Sequence, residues 1–191
     1  MRNNTDMQTP TDDVIQTPRL RLDRLCVEDA AVLFGIRGNP EVARYQGWQP
    51  ADEDEAAAFI AAQAERDFGA PDGWNQRAVR LREGGALIGD LGIHFPPTRE
   101  EPLEFGISLA PAHQGRGYAR EAIAAVFDRT FGPWGYRRVV ASVDPRNTAS
   151  LALCRALGMR QEAHHVESLL LRGEWVDDAV FALLAREWPP R

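Results

Sequence analysis

Cysteine is scarce in this 191-residue chain: Cys26 and Cys154 are its only two. They are far apart and show no metal-type spacing, so both read as reduced thiols of a cytoplasmic protein, and no metal is expected. No apolar run approaches membrane-spanning length, and Met1–Asp6 lacks the apolar core of a secretory signal, so no membrane partner is expected. Basic residues form no block and the formal net charge is −6, which argues against a nucleic-acid surface and weakly favours cationic acceptors. Two phosphate-loop signatures are missing as well. No Gly-Lys-Ser/Thr tripeptide closes a Walker loop, and Arg120 stands where the third glycine of a dinucleotide fingerprint would fall. There is no repeat and no internal linker.

What is present suits an ordinary globular chain: 44% hydrophobic and 26% charged residues rule out disorder throughout, and the length suits one domain with a sizeable core. Residues 1–17, polar and broken by Pro10, read as a flexible tail, leaving 18–191 as the domain. Thr17–Leu25 alternates as an opening strand. Asp29 is placed to cap a helix carrying Ala30, Leu33, Phe34 and Ile36 and ending near Gly38. A second helix begins after Pro50, its first turn crowded by Asp52–Glu55, which oppose the helix dipole. Residues 74–82 and 86–95 form a hairpin across Glu83-Gly84-Gly85, ended by Pro96 and Pro97. Arg137–Val143 is a further strand. Asn147 caps a helix whose last periodic residue is Leu157 and whose stop is Gly158. Two last strands, about 160–171 and 175–186, meet at Arg172-Gly173-Glu174. His94, on a strand among apolar residues, reads as packed. His164 and His165 face opposite sides of theirs.

The stretch from Leu103 to Phe131 organises the rest. Leu103, Phe105, Ile107 and Leu109 alternate with Glu104, Gly106 and Ser108, a strand with one buried face. Apolar positions 119, 122, 123, 126, 127 and 131 mark one face of a helix. Between them Gln114-Gly115-Arg116-Gly117-Tyr118-Ala119 can turn backbone N–H groups towards one point at the helix N-terminus, where partial positive charge suits a phosphate.

Gln114–Ala119, with its Gln-x-x-Gly-x-Ala pattern, resembles the acetyl-CoA loop of the GNAT superfamily of N-acetyltransferases. Thr-Pro-Arg-Leu-x-Leu-x-x-Leu at 17–25, Asn147–Ser150 followed by Leu157-Gly158-Met159, and Arg172–Asp177 resemble the RimJ/RimL type in the same order. The resemblance covers most of the chain. It implies an α/β (α+β) fold: a mixed, mostly antiparallel sheet of about seven strands, flanked by helices on both faces. Strands 103–109 and 138–143 would splay apart to admit acetyl-CoA, the co-substrate. It implies acetyl transfer by direct attack of an amine, with a protein or peptide N-terminal α-amine favoured as acceptor. A polyamine, aminoglycoside or amino acid is the alternative. A non-catalytic acyl-CoA sensor is a third reading, and monomer and homodimer both stay open.

In this reading the backbone of Ile107, Ser108 and Leu109 pairs with the pantetheine amides and N–H groups from Gly115 to Ala119 hold the pyrophosphate. Gln114 and Tyr118 belong to the same loop. Arg116 and Arg120 add positive charge or are simply solvated. Asn147 and Ser150 are candidates for cofactor hydrogen bonds. Glu104, on the polar face of its strand, is the candidate general base, with an exposed or salt-bridged carboxylate as the plain alternative. Many relatives place a proton-donating tyrosine on the late helix. Cys154 stands at that position here, so Cys154 and Ser150 share the candidacy for proton donor. Tyr45 and Trp48 either border the acceptor site or close the core.

Overall fold

The computed structural model describes residues 14–189. Eight strands form one sheet in the order β1-β2-β3-β4-β5-β6-β8-β7. They are β1 (Ile15–Gln16), β2 (Leu20–Asp23), β3 (Gly73–Leu81), β4 (Leu87–Phe95), β5 (Leu103–Leu109), β6 (Arg138–Val143), β7 (Arg160–Leu171) and β8 (Glu174–Leu184). Every neighbouring pair is antiparallel except β5 and β6. A parallel pair needs a crossover, and helix α4 (Tyr118–Phe131) supplies it. The remaining helices are α1 (Ala30–Arg37), α2 (Pro40–Ala43), α3 (Glu53–Ala64) and α5 (Thr148–Ala156).

The mixed, mostly antiparallel sheet agrees with the expected fold, with one strand more than the seven anticipated. The addition is β1, which pairs Ile15 with Leu22 and Gln16 with Arg21. Those two residues fall within the stretch 1–17 read as a tail, and buried Ile15 holds them to the core. Residues 1–13 lie outside the described residues.

At β3 both sheet faces are covered, as adjacent residues of that strand show. Successive strand side chains point to opposite faces. Ala78 packs with Leu25, Ala30, Leu33 and Ile60 under α1 and α3, whereas Val79 joins the larger core built on α4. Phe105 meets Phe127 edge to face with ring centroids 5.1 Å apart, fastening β5 to the α4 that follows it.

Local signals behave as their chemistry dictates, with one exception. Asp52 accepts from the Glu55 backbone N at 2.8 Å, capping α3, and the Glu83-Gly84-Gly85 turn has both glycines at positive φ. Asp29 does not cap α1. It ends a short 3₁₀ turn, Val27–Asp29, where its carboxylate takes the Cys26 backbone N–H at 2.9 Å and Arg80 Nη2 at 2.6 Å. An arginine on β3 outcompetes the helix end for that carboxylate.

What positions the site is the end of the β5/β6 pairing. The two strands pair only at Leu103 with Val139 and Glu104 with Val140. Beyond Glu104, β5 stays with β4 as far as Leu109 opposite Gly89, and β6 stays with β8 as far as Val143 opposite Ala179. The sheet therefore opens into a V with Glu104 near its apex. A side chain at Gly89 would run into the Ser108 carbonyl, 2.1 Å from a Cβ placed there, so glycine is required for this close approach on the β5 limb.

Candidate active site

Two cavities occupy the V. The larger, about 740 Å³, runs from β5 (Ile107, Ser108, Leu109) past the glycine turn and the first turn of α4 to α5. The smaller, about 170 Å³, lies at the apex against Glu104, Phe105, Ser142, Asp144 and Cys154, with Trp74 at its rim. Tyr45, Gln46, Ile107, Asn147, Ser150 and Leu153 line both.

The turn leading into α4 has the conformation its glycines foretell. Gly115 and Gly117 sit at φ +69° and +78°, in the left-handed region that other residues rarely adopt. Gln114 donates its side-chain amide to the Leu109 carbonyl at 2.9 Å, closing the turn onto the end of β5. Gln114, Gly115, Gly117, Tyr118, Ala119 and Arg120 all line the larger cavity. Arg116 does not. Its carbonyl instead accepts from Arg19 Nη1 at 3.1 Å, and the Arg19 guanidinium lies 4.5 Å from the Tyr118 ring centroid. Arg19 also donates from Nε to Glu121 at 2.6 Å, and Thr17 Oγ1 donates to the same carboxylate at 2.5 Å. These bonds hold the Glu121 carboxyl below its ordinary range against the opposing effect of burial.

A buried polar atom points to a ligand here. Ser108 is 4% exposed and lines the larger cavity, and its Oγ has no hydrogen-bond partner among the described residues. His113 Nδ1, on the same cavity, is likewise unpartnered. Buried polar groups are normally satisfied, so a polar occupant fits this cavity. A β5 edge freed from β6 can offer its backbone to an extended amide-bearing arm, and the N-terminus of α4 can receive an anion. The residues present thus fit a long ligand with an amide arm and a phosphate end.

On the opposite limb, Asn147 caps α5 by accepting the Ser150 backbone N–H at 3.1 Å through its Oδ1. Ser150 itself faces both cavities. Cys154 is 3% exposed on the apex cavity, and burial pushes its thiol up to about 11, so it stays protonated near neutral pH. Glu104 is half-buried at the apex. Burial first, and then the Asp178 carboxylate, raises its pKa above the ordinary value. Asp178 is fixed by the Ser142 hydroxyl at 2.7 Å and the Val143 backbone N–H at 3.2 Å.

The two aromatic candidates separate. Tyr45 lines both cavities and donates its hydroxyl to the Arg146 carbonyl at 3.2 Å, bridging the α2 side to the start of α5. Trp48 lines neither. It stacks on Phe59 at 4.3 Å and donates Nε1 to Glu55, because α3 offers it both a ring and a carboxylate. His94, packed against Trp74 with ring centroids 5.4 Å apart, also stays out of both cavities. His164 pairs with Asp177 at 2.7 Å on the outer strands.

Sequence reasoning passed over Arg19, Gln46, Trp74 and Asp178. Arg19 carried a signal, as part of Thr-Pro-Arg-Leu, but no role. Gln46 lies in the connection between α2 and α3, whereas Trp74 on β3 and Asp178 on β8 are brought to the site by pairings between distant strands.

Comparison with known proteins agrees with this geometry. Residues 19–160 match the acetyltransferase (GNAT) domain family. The uncharacterized N-acetyltransferase p20 of Bacillus licheniformis is 29% identical over 92% of this chain and 98% of its own length. The ribosomal protein uS5-alanine N-acetyltransferase of Escherichia coli is 31% identical over 63% of this chain and 71% of its own. Spermidine N-acetyltransferase of Vibrio cholerae, solved with CoA and spermine, superposes with a TM-score of 0.74 at 22% identity, covering 90% of this chain and 98% of that one. With the parted strands, the glycine turn and the family match all coinciding on one stretch, the chain belongs to the GNAT acetyltransferases and is an N-acetyltransferase.

Proposed function

We propose that the chain transfers acetyl from acetyl-CoA to the α-amine of a protein or peptide N-terminus, by direct attack at the apex of the V. The observation that carries this is the position of Glu104, a carboxylate of raised pKa on the small acidic cavity, which shares Ile107, Asn147 and Ser150 with the larger one. The likeness to the uS5-alanine enzyme supports the peptide acceptor.

Acetyl-CoA, when bound, supplies the acetyl group as a thioester. The backbone of Ile107, Ser108 and Leu109 holds the pantetheine amides. N–H groups from Gly115 to Ala119 hold the pyrophosphate, with Arg120 adding charge. Asn147 and Ser150 hydrogen-bond the arm from the other limb. An alkylamine is mostly ammonium at neutral pH, so Glu104 takes the proton that the attacking nitrogen must shed. Its raised pKa brings it closer to the working pH of such a base. Ser150, on both cavities, is better placed than Cys154 to offer a proton towards the leaving sulfur.

Small cationic amines form the second reading, favoured by the carboxylates at the apex and by the likeness to a spermidine enzyme. Incubation with acetyl-CoA and a panel of peptides, polyamines, aminoglycosides and amino acids, read by mass, decides between them. Acetylated peptide α-amines support the first reading. Acetyl on small amines alone replaces it with the second.

A further inference from the structure

Of the connection between α2 and α3, Tyr45 and Gln46 line both cavities. The Tyr45 hydroxyl is spent on the Arg146 carbonyl. Gln46 is different. Its Oε1 accepts from Arg37 Nη1 at 3.1 Å, and its backbone N–H is tied to the Ala43 carbonyl at 3.0 Å. Arg37 is itself immobilised. It is 6% exposed, and its Nε and Nη2 hold the two carboxylate oxygens of fully buried Asp90 at 2.8 and 2.6 Å.

A guanidinium donates hydrogen bonds and cannot accept one. The Gln46 amide is therefore fixed with its oxygen on Arg37, and a flip would set NH₂ against a buried guanidinium. What Gln46 has left is a pair of N–H donors on Nε2, with no partner among the described residues. The apex cavity it lines also holds Glu104 and Asp144, which accept. Carboxylates there suit the ammonium of an acceptor, whereas an amide donor suits a carbonyl oxygen.

We infer that Gln46 donates from Nε2 to the first carbonyl of the acceptor, so that the site selects amines with a carbonyl next to the amine-bearing carbon. This inference rests on the peptide-amine reading of the acceptor. A peptide N-terminus carries that carbonyl two bonds from the reacting nitrogen. A polyamine has only methylenes and further donors, and would set donor against donor at this point. Arg37 and Asp90 act on specificity through Gln46 and are positioning residues.

The test compares a short peptide with an alanyl N-terminus against spermidine and sec-butylamine, which lack the carbonyl, in wild type, Gln46→Glu and Gln46→Leu. Gln46→Glu keeps an acceptor for Arg37 and so keeps the loop anchored, but loses the donor. Both variants should lower the ratio of kcat/KM for peptide to kcat/KM for the carbonyl-free amines about tenfold, as expected for one lost hydrogen bond, mainly through the peptide KM. If the wild type acetylates the peptide and the variants keep its ratio, the inference is overturned and the peptide reading stands. If the wild type acetylates only the carbonyl-free amines, the peptide reading fails and the inference falls with it. An equal fall of kcat on every acceptor would place Gln46 at the thioester and overturn the inference alone.

Discussion

Arg19 and Glu121, at opposite ends of the matched family stretch's first hundred residues, share a 2.6 Å ion pair that ties the entry of β2 to the first turn of α4. The same guanidinium holds the Arg116 carbonyl, between the two glycines whose positive φ values shape the turn. The pair is partly solvated, with Arg19 47% and Glu121 16% exposed as side chains. A surface ion pair of this kind contributes at most about 1 kcal/mol to stability, so its main effect is expected on the turn it braces. Arg19→Ala and Glu121→Gln should each raise KM for acetyl-CoA roughly tenfold, as for one lost charge-assisted hydrogen bond, and change the melting temperature little. The double variant should be hardly worse than either single one, since both break one link. Additive losses in acetyl-CoA affinity would show that the two residues act separately.

That link also shows what could be read from the sequence. Alternation in 103–109, helical spacing after Ala119 and the two glycines between them locate β5, α4 and the turn that joins them, whereas the V is implied only by the family resemblance. Each is a local pattern of period two or three to four, and local patterns are legible. Arg19 stood in plain view in Thr-Pro-Arg-Leu, yet its partners are about a hundred residues away and nothing local names them. Trp48 keeps two readings in the sequence for the same reason, because its choice between cavity, core and α3 depends on where Phe59 and Glu55 arrive. Asp29 read as a helix cap, and its loss to Arg80 depends on a strand 51 residues on.

Glu104 gives a prediction with opposite signs for activity and stability. If it is the base, Glu104→Gln should lower kcat by about 10²–10⁴-fold. Its folded pKa is raised above the unfolded value, so its contribution to stability is largest below the unfolded pKa and is lost as pH rises through the folded one. At neutral pH the buried carboxylate therefore opposes folding, and Glu104→Gln should melt no lower than wild type and somewhat higher. Asp178→Asn removes the second cause of the raised pKa. It should move the acid limb of the kcat/KM profile to lower pH. A Glu104→Gln enzyme with full turnover across pH would remove Glu104 from the mechanism.

The Arg37–Asp90 pair should dominate stability near the site. Both side chains are buried, at 7% and 0% exposure, so removing one leaves the other charged and unpaired. Arg37→Ala should cost about 3–5 kcal/mol, read by urea unfolding, and Asp90→Asn should cost less because the amide can still accept from the guanidinium. Arg37→Met combined with Asp90→Leu should recover part of the loss, since an apolar pair of similar volume escapes the desolvation penalty. A single-site loss under 1 kcal/mol would mean that water reaches this pair in solution.

The proton donor can be separated by two substitutions on one helix. Cys154 faces only the apex cavity and holds its proton up to about 11, whereas Ser150 faces both cavities from the first turn of α5. Ser150→Ala should therefore lower kcat about tenfold, the effect of one hydrogen bond formed as charge develops on the leaving sulfur. Cys154→Ala should leave kcat within about twofold and lower stability by roughly 1 kcal/mol, the cost of a small void in the core. Alkylation gives an independent reading. Cys26 is exposed and Cys154 buried, so iodoacetamide should modify Cys26 first, with activity retained while that thiol reacts. Loss of turnover in Cys154→Ala with full activity in Ser150→Ala would exchange the two roles, and would make the raised thiol pKa part of the chemistry instead of a mark of burial alone.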